Sequence, residues 1–379
     1  MAYPPRILYL LWAGELGGAE RHVCDLATGL PIDRYSPTVC FLSKAGVIGG
    51  LLTKAGVPVV EMGLKSGRDL SGVLRFVRWL RKNQFDLVHD HLSTPWARVV
   101  IGITQSDSVI LYTEHNGFLL SHLDRWHRFW SRLSAQYTDQ FIAVSQSIKM
   151  LLIQNIGVNP ERINVAYNCV DQSRFPILSK EQRFHIRRSL GIPDKHYLLI
   201  AVGHLDINKG FDCLVQILAP MMCVRKCIHL FLVGEGALRG KLESQIAGFH
   251  LQDYIHLLGE KTNVPDLLGA ADLLVMASRF ESFGIVAAEA MMAGIPVVAP
   301  DIPGLNEVVE SGKTGFLIPT NRLETDFSTA VTCLLDDLQL RQQMGKSGRQ
   351  RVLALFERQK VVSQIIDLYQ ELLEQKGIK

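Results

Sequence analysis

The sequence predicts an α/β protein with two doubly wound domains, each built on a mostly parallel sheet. Its 379 residues exceed what one ordinary hydrophobic core encloses and suit two domains. Short apolar runs alternate with longer helical patterns, and the alternation stops at a polar stretch near residues 172–188 before it begins again. Such alternation is typical of parallel sheets covered by helices. We therefore expect one domain over residues 1–175 and a second over residues 176–359.

Eleven short apolar runs bounded by turn residues are predicted to be strands. The six in the first domain are Ile7–Leu11, Thr38–Leu42, Leu87–His89, Val109–Thr113, Phe141–Val144 and Ile163–Ala166. The five in the second domain are Tyr197–Val202, His229–Val233, Ile255–Leu258, Leu273–Met276 and Pro296–Ala299. The last segment, residues 360–379, has the apolar spacing of an amphipathic helix, and we expect it to pack back onto the first domain.

Glycine-containing turns follow several of these strands. Gly17 and Gly18 come after the first strand, and Lys209 lies on a similar turn at the start of the second domain. Glycines let a ligand approach the backbone, and free N–H groups at the start of a helix bind anions. Because ligands of doubly wound folds bind at the carboxyl ends of the strands, we expect a phosphate site in a cleft between the domains. Each turn alone is equally consistent with an ordinary strand-to-helix connection.

One segment late in the chain carries two glutamates through an otherwise apolar stretch. Glu281 precedes a predicted helix that starts near Ser282 and Gly284 and ends before Gly294, and Glu289 lies about two turns inside it. The start of that helix suits a phosphate, because it offers free N–H groups and the positive end of the helix dipole. A carboxylate on each side of an anion site indicates a nucleotide-sugar ligand, with one acid for ribose hydroxyls and one for sugar hydroxyls.

Histidines follow the strand runs of the first domain. His89 and His91 come at the end of one run, and His115 comes after the next. We expect them to form a polar wall in the first domain, on the side of the cleft where the molecule that accepts the sugar would bind. A metal site is the weaker interpretation, because the carboxylate and histidine spacing of known metal sites is missing. No Asp-x-Asp pair for a metal-bound diphosphate is present either, so we expect no metal and no cofactor.

Composition limits the classes of partner. The chain is 47% hydrophobic and 20% charged with a formal net charge of +3, which predicts a globular protein without a nucleic-acid partner. No apolar run is long enough to span a membrane, the N-terminus does not resemble a signal peptide, and the cysteines form no CxxC pair. We therefore expect a cytoplasmic protein.

Two segments mix basic residues with apolar rings: Leu70–Lys82 and Leu123–Leu133. Such a pattern fits a solvated helix face with a buried stripe. It also fits a surface that rests on an anionic membrane, which would make the protein peripheral on the cytoplasmic membrane face. The sequence leaves both interpretations open.

The motifs together resemble the retaining GT-B glycosyltransferases of family 4, also called glycosyltransferase group 1, over nearly the whole chain. The Glu–seven residues–Glu motif of that family fits Glu281 and Glu289. Other matching segments are Gly17–Glu20, Ala143–Ser145, Asn168–Asp171, Lys209–Gly210, Ala271–Asp272 and Gly312–Pro319.

The resemblance implies two Rossmann-like domains facing a central cleft, with the donor nucleotide held mainly by the second. It implies that Glu289 bonds the ribose hydroxyls and that Glu281 contacts the transferred sugar. It implies that Lys209 holds the diphosphate and that His115 lies near the reacting sugar, so Glu281, His115 and Lys209 are the expected catalytic residues. The other expected donor-binding residues are Gly17, Gly18, His204, Lys261, Ser282, Phe283, Gly284, Ile285 and Val286.

The implied reaction is retaining, metal-independent transfer of a hexose-type sugar from a nucleoside-diphosphate sugar, with a UDP-sugar as the first expectation. The implied acceptor is a hydroxyl of a glycan, a lipid-linked precursor or a polysaccharide. The chain departs from the family at His204, where arginine is common, and at Cys169, where glycine is common. Histidine is a cation only when protonated, so diphosphate binding is the property this change affects.

Two other functions stay open. One is a non-hydrolysing nucleotide-sugar epimerase of the same fold, and the other is a catalytically silent sugar-nucleotide-binding protein. The presence of Glu281, Glu289 and Lys209 argues against the silent protein.

Overall fold

The computed structural model describes residues 3–15 and 17–378. The chain forms two compact units: the first comprises residues up to Cys169 together with the segment from Arg358, and the second comprises Val170–Glu357. The division falls at 169/170, not at the expected 175/176. The reason is local: the backbone N–H of Val170 donates to the carbonyl of Phe356 over 2.8 Å, so the chain already pairs within the second unit there.

The first unit contains a seven-stranded parallel sheet in the order β3-β2-β1-β4-β5-β6-β7. Its elements are β1 (Arg6–Leu11), α1 (Gly18–Gly29), β2 (Ser36–Phe41), α2 (Gly46–Lys54), β3 (Val59–Glu61), α3 (Leu70–Lys82), β4 (Leu87–Leu92), α4 (Pro95–Thr104), β5 (Val109–Glu114), α5 (Gly117–Ser121), α6 (Arg125–Gln136), β6 (Gln140–Ala143), α7 (Gln146–Leu151) and β7 (Ile163–Val165).

The second unit contains a six-stranded parallel sheet in the order β10-β9-β8-β11-β12-β13. Its elements are α8 (Lys180–Ser189), β8 (Tyr197–Val202), α9 (Phe211–Val224), β9 (Ile228–Val233), α10 (Arg239–Gly248), β10 (Ile255–Gly259), α11 (Val264–Ala270), β11 (Leu273–Val275), α12 (Ile285–Met292), β12 (Val297–Asp301), α13 (Leu305–Val308), β13 (Gly315–Pro319), α14 (Leu323–Asp336) and α15 (Leu338–Leu355).

The final helix, α16 (Arg358–Gln375), belongs to the first unit. Val362, Ile365 and Tyr369 of this helix are buried in the core that covers one face of the first sheet. The Tyr369 hydroxyl reaches both His89 Nδ1, at 2.5 Å, and the Tyr9 hydroxyl, at 3.2 Å. The C-terminal segment is thus a structural part of a domain whose other elements lie near the start of the chain.

Each of the eleven predicted strands overlaps an observed one, and the two doubly wound sheets are confirmed. Two strands were missed, β3 and β13, and each lies at an edge of its sheet. An edge strand has a partner on one side only, so it needs fewer residues and a weaker apolar pattern than a central strand. That is why the sequence pattern did not distinguish these two from loops.

The two basic, aromatic-rich segments both contain helices, α3 and α6. No helix among residues 3–15 and 17–378 combines the length and the apolar character that crossing a bilayer requires.

Candidate functional site

Glu281 and Lys209 meet in the second unit. Lys209 lies on the turn after β8, and Glu281 lies on the loop between β11 and α12. Lys209 Nζ is 2.8 Å from Glu281 Oε1, and the Ser278 hydroxyl donates to the same oxygen over 2.8 Å. Ser278 and Glu281 are both buried. The sequence predicted Lys209 and Glu281 as separate ligand contacts, whereas the structure joins them in an ion pair that Ser278 holds in place.

Arg279 links the two loops that carry Lys209 and Glu281. Its backbone N–H donates to the carbonyl of Asn208 over 2.7 Å, and its guanidinium donates to the carbonyl of Ile207 over 2.5 Å and to Asp212 over 3.0 Å. These bonds fix the loop before Glu281 to the turn that carries Lys209 and to the start of α9. Sequence reasoning missed Arg279 and Ser278, although both lie within three residues of Glu281.

The start of α12 has the geometry of an anion site. Gly284 caps the helix with φ of +92°, a left-handed conformation in which a side chain is strained. A Cβ at Gly284 would also lie 2.5 Å from Leu305 Cδ2. The first N–H groups of a helix, here near Ile285 and Val286, have no intrahelical acceptor and can bind an anion. The Phe283 ring is buried against Phe356. Only the backbone of Phe283 is therefore available to bind a nucleotide-sugar.

Glu289 lies inside α12, as predicted, and its carboxylate faces Arg174. The two charged groups are 3.9 Å apart, with Glu289 Oε1 nearest to Arg174 Nη1. Arg174 was not predicted as a site residue. It lies in a short 3₁₀ helix, Gln172–Arg174, at the start of the polar stretch where the predicted alternation of strands and helices stops.

His204 and Lys261 are both exposed at the carboxyl end of the second sheet. The ring of His204 contacts the carbonyl of Glu235, with Nδ1 to oxygen at 3.0 Å. Because a carbonyl only accepts, Nδ1 carries the proton in the neutral ring and Nε2 then has none to donate. Contact of Nε2 with a phosphate therefore needs the protonated form of His204.

In the first unit, Gly17 caps α1 and Gly18 is its first residue. A Cβ at Gly17 would lie 2.2 Å from the Glu20 carboxylate, so a larger residue there needs Glu20 to move. Leu16, their neighbour, lies outside the described residues.

Four buried histidines cluster in the first unit: His22 of α1, His89 and His91 of β4, and His115 just after β5. His91 Nδ1 is 3.0 Å from His115 Nε2, and the His22 ring lies edge-on to both, at centroid distances of 6.2 and 5.7 Å. His22 was not predicted from the sequence. Burial lowers the pKa of His22 to about 4 and, with the neighbouring His22, holds the pKa of His115 well below its usual range.

The prediction that His89 lines an acceptor-side wall is wrong. Its side chain is fully buried, and its ring nitrogens pair with Tyr369 at 2.5 Å and with Thr113 at 2.7 Å. His89 is therefore a core residue that ties β4 to β5 and to the C-terminal helix. Across the described parts of the chain, no three His, Cys, Asp or Glu side chains are arranged to hold a metal ion.

Comparison with known proteins identifies both units. The family model described as Glycosyltransferase Family 4 matches residues 16–174, and the model described as Glycosyl transferases group 1 matches residues 182–351. Among curated relatives, the N-acetyl-alpha-D-glucosaminyl L-malate synthase of Bacillus anthracis is 26% identical over 309 residues, covering 80% of each chain. The UDP-Gal:alpha-D-GlcNAc-diphosphoundecaprenol alpha-1,3-galactosyltransferase of Escherichia coli is 25% identical and covers 84% of each chain.

The fold is similar to that of several solved structures. Anabaena Alr3699/HepE, whose crystal structure is in complex with UDP-glucose, aligns with a TM-score of 0.83 and 26% identity over 97% of this chain and 100% of that one. WaaG, a glycosyltransferase involved in lipopolysaccharide biosynthesis, aligns with a TM-score of 0.77 at 20% identity, which shows the likeness of fold alone. The chain is a glycosyltransferase that belongs to group 1, family 4, and has the GT-B fold.

Proposed function

We propose that the protein transfers a sugar from a nucleoside-diphosphate sugar, most simply a UDP-sugar, to a hydroxyl group of a glycan or lipid-linked acceptor, with retention of the anomeric configuration. The observation that carries this proposal is the Lys209–Glu281 ion pair beside the start of α12. It places a cation, a carboxylate and free N–H groups within one unit, which are the groups a sugar diphosphate needs. The UDP and glucose bound to Anabaena Alr3699/HepE support this choice of donor.

In this proposal Lys209 and the N-terminus of α12 stabilise the negative charge that develops on the departing diphosphate. Glu281 orients the sugar and does not act as a nucleophile. The acceptor attacks from the side of the leaving group, so its hydroxyl proton passes to the departing phosphate and the configuration is retained. Glu289 binds the ribose hydroxyls, and His115 contacts the transferred sugar.

The donor is identified by thermal stabilisation. A ligand that binds only the folded protein raises its stability by about 2.7 kcal/mol at 100 times its Kd. We expect UDP and at least one UDP-sugar to raise the Tm, without added metal and in the presence of EDTA. NMR of the anomeric proton in the first-formed product then distinguishes retention from inversion. An inverted product would contradict the retaining mechanism, and release of an epimerised nucleotide-sugar without acceptor would favour the epimerase.

We also propose that α6 rests on an anionic membrane while the enzyme acts. Trp126, Phe129 and Trp130 lie on one side of α6 and are 72, 54 and 38% exposed. Arg125 and Arg128 lie beside them and are also exposed. Exposed aromatic rings flanked by basic groups suit the interface of an anionic bilayer.

The other basic segment fits this role less well. On α3, Phe76 and Leu80 are buried, and Arg75 donates through Nε to the carbonyl of Met62 over 2.8 Å. A triple Trp126→Ala, Phe129→Ala, Trp130→Ala variant should lose most binding to phosphatidylglycerol vesicles in a sedimentation assay. A Leu70→Ala, Leu74→Ala variant on α3 is the matched control. Equal loss in both variants, or no binding by the wild type, would contradict this surface.

A further inference from the structure

Three histidines of the second unit form a stack at the amino ends of β8, β9 and β10. His196 lies directly before β8, and His229 and His256 are the second residues of β9 and β10. Their rings stack in that order, with centroid distances of 5.2 and 5.6 Å. His196 Nδ1 lies 2.9 Å from His229 Nε2, and His229 Nδ1 lies 3.3 Å from His256 Nε2. This histidine stack joins three neighbouring parallel strands at the end of the sheet opposite to the turn that carries Lys209.

The strand at one end of the stack, β10, is weakly held. It is an edge strand and pairs with β9 alone, and its register shifts between Leu257 and Gly259. Of its five residues, Ile255 is buried and the others are half-buried. His256 adds to the few contacts of this strand, through His229 and through the Phe231 ring at 5.2 Å. An edge strand of this kind opens more readily than a central strand, and the histidine stack opposes that opening.

The histidine stack has room for one extra proton. Each contact between two rings needs one N–H and one bare nitrogen. A proton added to His256 makes both of its nitrogens donors, so His229 accepts at Nδ1 and donates through Nε2 to His196. A further proton would bring two N–H groups face to face at one contact. When β10 opens, His256 titrates alone and the remaining pair still has room for one proton, so the open form binds one proton more.

The charges around the histidine stack favour its β10 end as the site of protonation. Burial, the two neighbouring rings and Arg187 of α8 lower the pKa of His229 to about 4. Burial lowers the pKa of His256 as well, but Asp253, just before β10, opposes that shift. Two further titratable groups lie near the stack: Tyr254, with its ring 5.6 Å from that of His229, and Lys226, with Nζ 4.8 Å from the Tyr254 ring.

The carboxyl end of β10 packs against the turns that lead to Lys209. The carbonyl of Gly259 accepts from the backbone N–H of Gly234, in the turn after β9, over 2.9 Å. Gly234 lies so close to the turn after β8 that a Cβ on it would be 1.9 Å from the Gly203 carbonyl oxygen. A Cβ on Gly203 would in turn contact the Lys209 side chain at 3.5 Å. Opening of β10 therefore removes one end of a row of close contacts that reaches Lys209.

We propose that the histidine stack makes β10 sensitive to acid: the stack holds the edge strand closed while it carries at most one proton, and further protonation opens the strand and loosens the turn that carries Lys209. A diphosphate held by Lys209 then keeps β10 closed, and acid opposes the ligand, because the two effects are linked. The link to the diphosphate rests on the proposed function, whereas the acid-dependent opening does not.

Hydrogen exchange of the full-length protein without ligand measures the opening of β10. Protection of its amides, corrected for the intrinsic exchange rate at each pH, should fall about 30-fold from about pH 6.5 to about pH 4.5, because the open form binds one proton more. The amides of the central strand β12 report global unfolding, and β10 reports local opening as long as it is less protected than β12.

Two substitutions remove the titrating group at the β10 end. His256→Gln keeps an amide against His229, and His256→Phe keeps an aromatic ring there. Neither side chain titrates, so both variants should make the opening of β10 independent of pH. The exposed His185→Gln is the matched control and should follow the wild type. Exchange of β10 that is independent of pH in the wild type, or a pH dependence that survives in both His256 variants, would overturn the proposal.

Inorganic pyrophosphate tests the connection to Lys209, because it has no base or ribose to contact the residues after β10. At about 100 times its Kd it should raise the protection of β10 by up to about 100-fold. Bound pyrophosphate that leaves the protection of β10 unchanged would overturn the connection. If neither pyrophosphate nor UDP binds, the proposed function fails, and the exchange measured without ligand still decides the role of the histidine stack.

Discussion

The two units hold their candidate functional groups in opposite ways. In the second unit, Lys209 and Glu281 form an ion pair between two loops that Arg279 fastens together. In the first unit, His91 and His115 are uncharged rings at the ends of neighbouring strands, buried among other rings. In the proposed function, charged groups act on the donor in the second unit, whereas the histidines of the first unit offer hydrogen bonds of uncharged rings. Charge-removing substitutions should therefore affect the second unit most, whereas acid should act mainly on buried histidines, most of which lie in the first.

The largest effect is expected for Glu281→Gln. Glutamine keeps an acceptor for the Ser278 hydroxyl but removes the ion pair with Lys209. Turnover of UDP-glucose should fall about 1,000-fold, as when an electrostatic contact to the reacting group is lost. UDP affinity, measured by calorimetry, should stay equal or increase, because Lys209 is released for the diphosphate. The exposed Glu260→Gln is the control, and turnover within a few fold of the wild type would remove Glu281 from the mechanism.

Acid should destabilise the first unit through His22. Burial lowers the pKa of His22 to about 4 in the folded protein, whereas an unfolded histidine titrates near 6.5. The unfolded chain then binds more protons between these values, so stability is present above about pH 6.5 and is lost as the pH falls towards 4, by roughly 3 kcal/mol. Urea unfolding across this range measures the loss. His22→Gln should make the pH dependence shallower without abolishing it, because burial also lowers the pKa values of His89, His91 and His115. The exposed His185→Gln should leave the slope unchanged, and equal slopes in the two variants would contradict the assignment.

A smaller effect is expected for Arg279→Ala. Its guanidinium anchors the Lys209 loop without being one of the proposed ligand contacts, so its loss should loosen the ion pair. We expect turnover to fall about tenfold with little change in Tm. Arg239→Ala removes two surface ion pairs of α10 and is the matched control. If turnover falls equally in both variants, contacts other than those of Arg279 hold the two loops together.

The smallest effect is expected for His204→Arg. Neutral His204 donates through Nδ1 to Glu235 and has no proton on Nε2 for a phosphate, whereas arginine is always charged. UDP should bind about threefold more tightly, because an exposed charge contributes about 1 kcal/mol or less. Unchanged or weaker affinity in a titration would contradict this role.

The difference between the charged groups of the second unit and the buried histidines of the first also explains which residues could be predicted from the sequence. Glu281, Glu289 and Lys209 stand out because charged residues within or beside apolar segments are uncommon. The two sheets could be predicted because their central strands are long apolar runs. The edge strands β3 and β13 could not, since their pattern is too short or too mixed.

The pairings could not be read from the sequence. His22 meets His115 only because α1 packs against the sheet at that point, and Arg174 meets Glu289 across more than 100 residues of chain. Ser278 and Arg279 lie next to the motif but have no distinctive spacing of their own. Such contacts depend on helix rotation and loop conformation, which residue periodicity does not specify.

The return of α16 to the first unit has a consequence for how the protein is made. The residues that complete the first core, such as Ile365 and Tyr369, leave the ribosome only after the whole of the second unit. At synthesis rates of about 5–20 residues per second, the earlier part of the first unit waits roughly 10–40 s for its last helix. During that interval His89 lacks Tyr369, and one face of the first sheet is covered by α1 and α2 but not by α16. The second unit, though later in sequence, is the first whose entire chain has been synthesised.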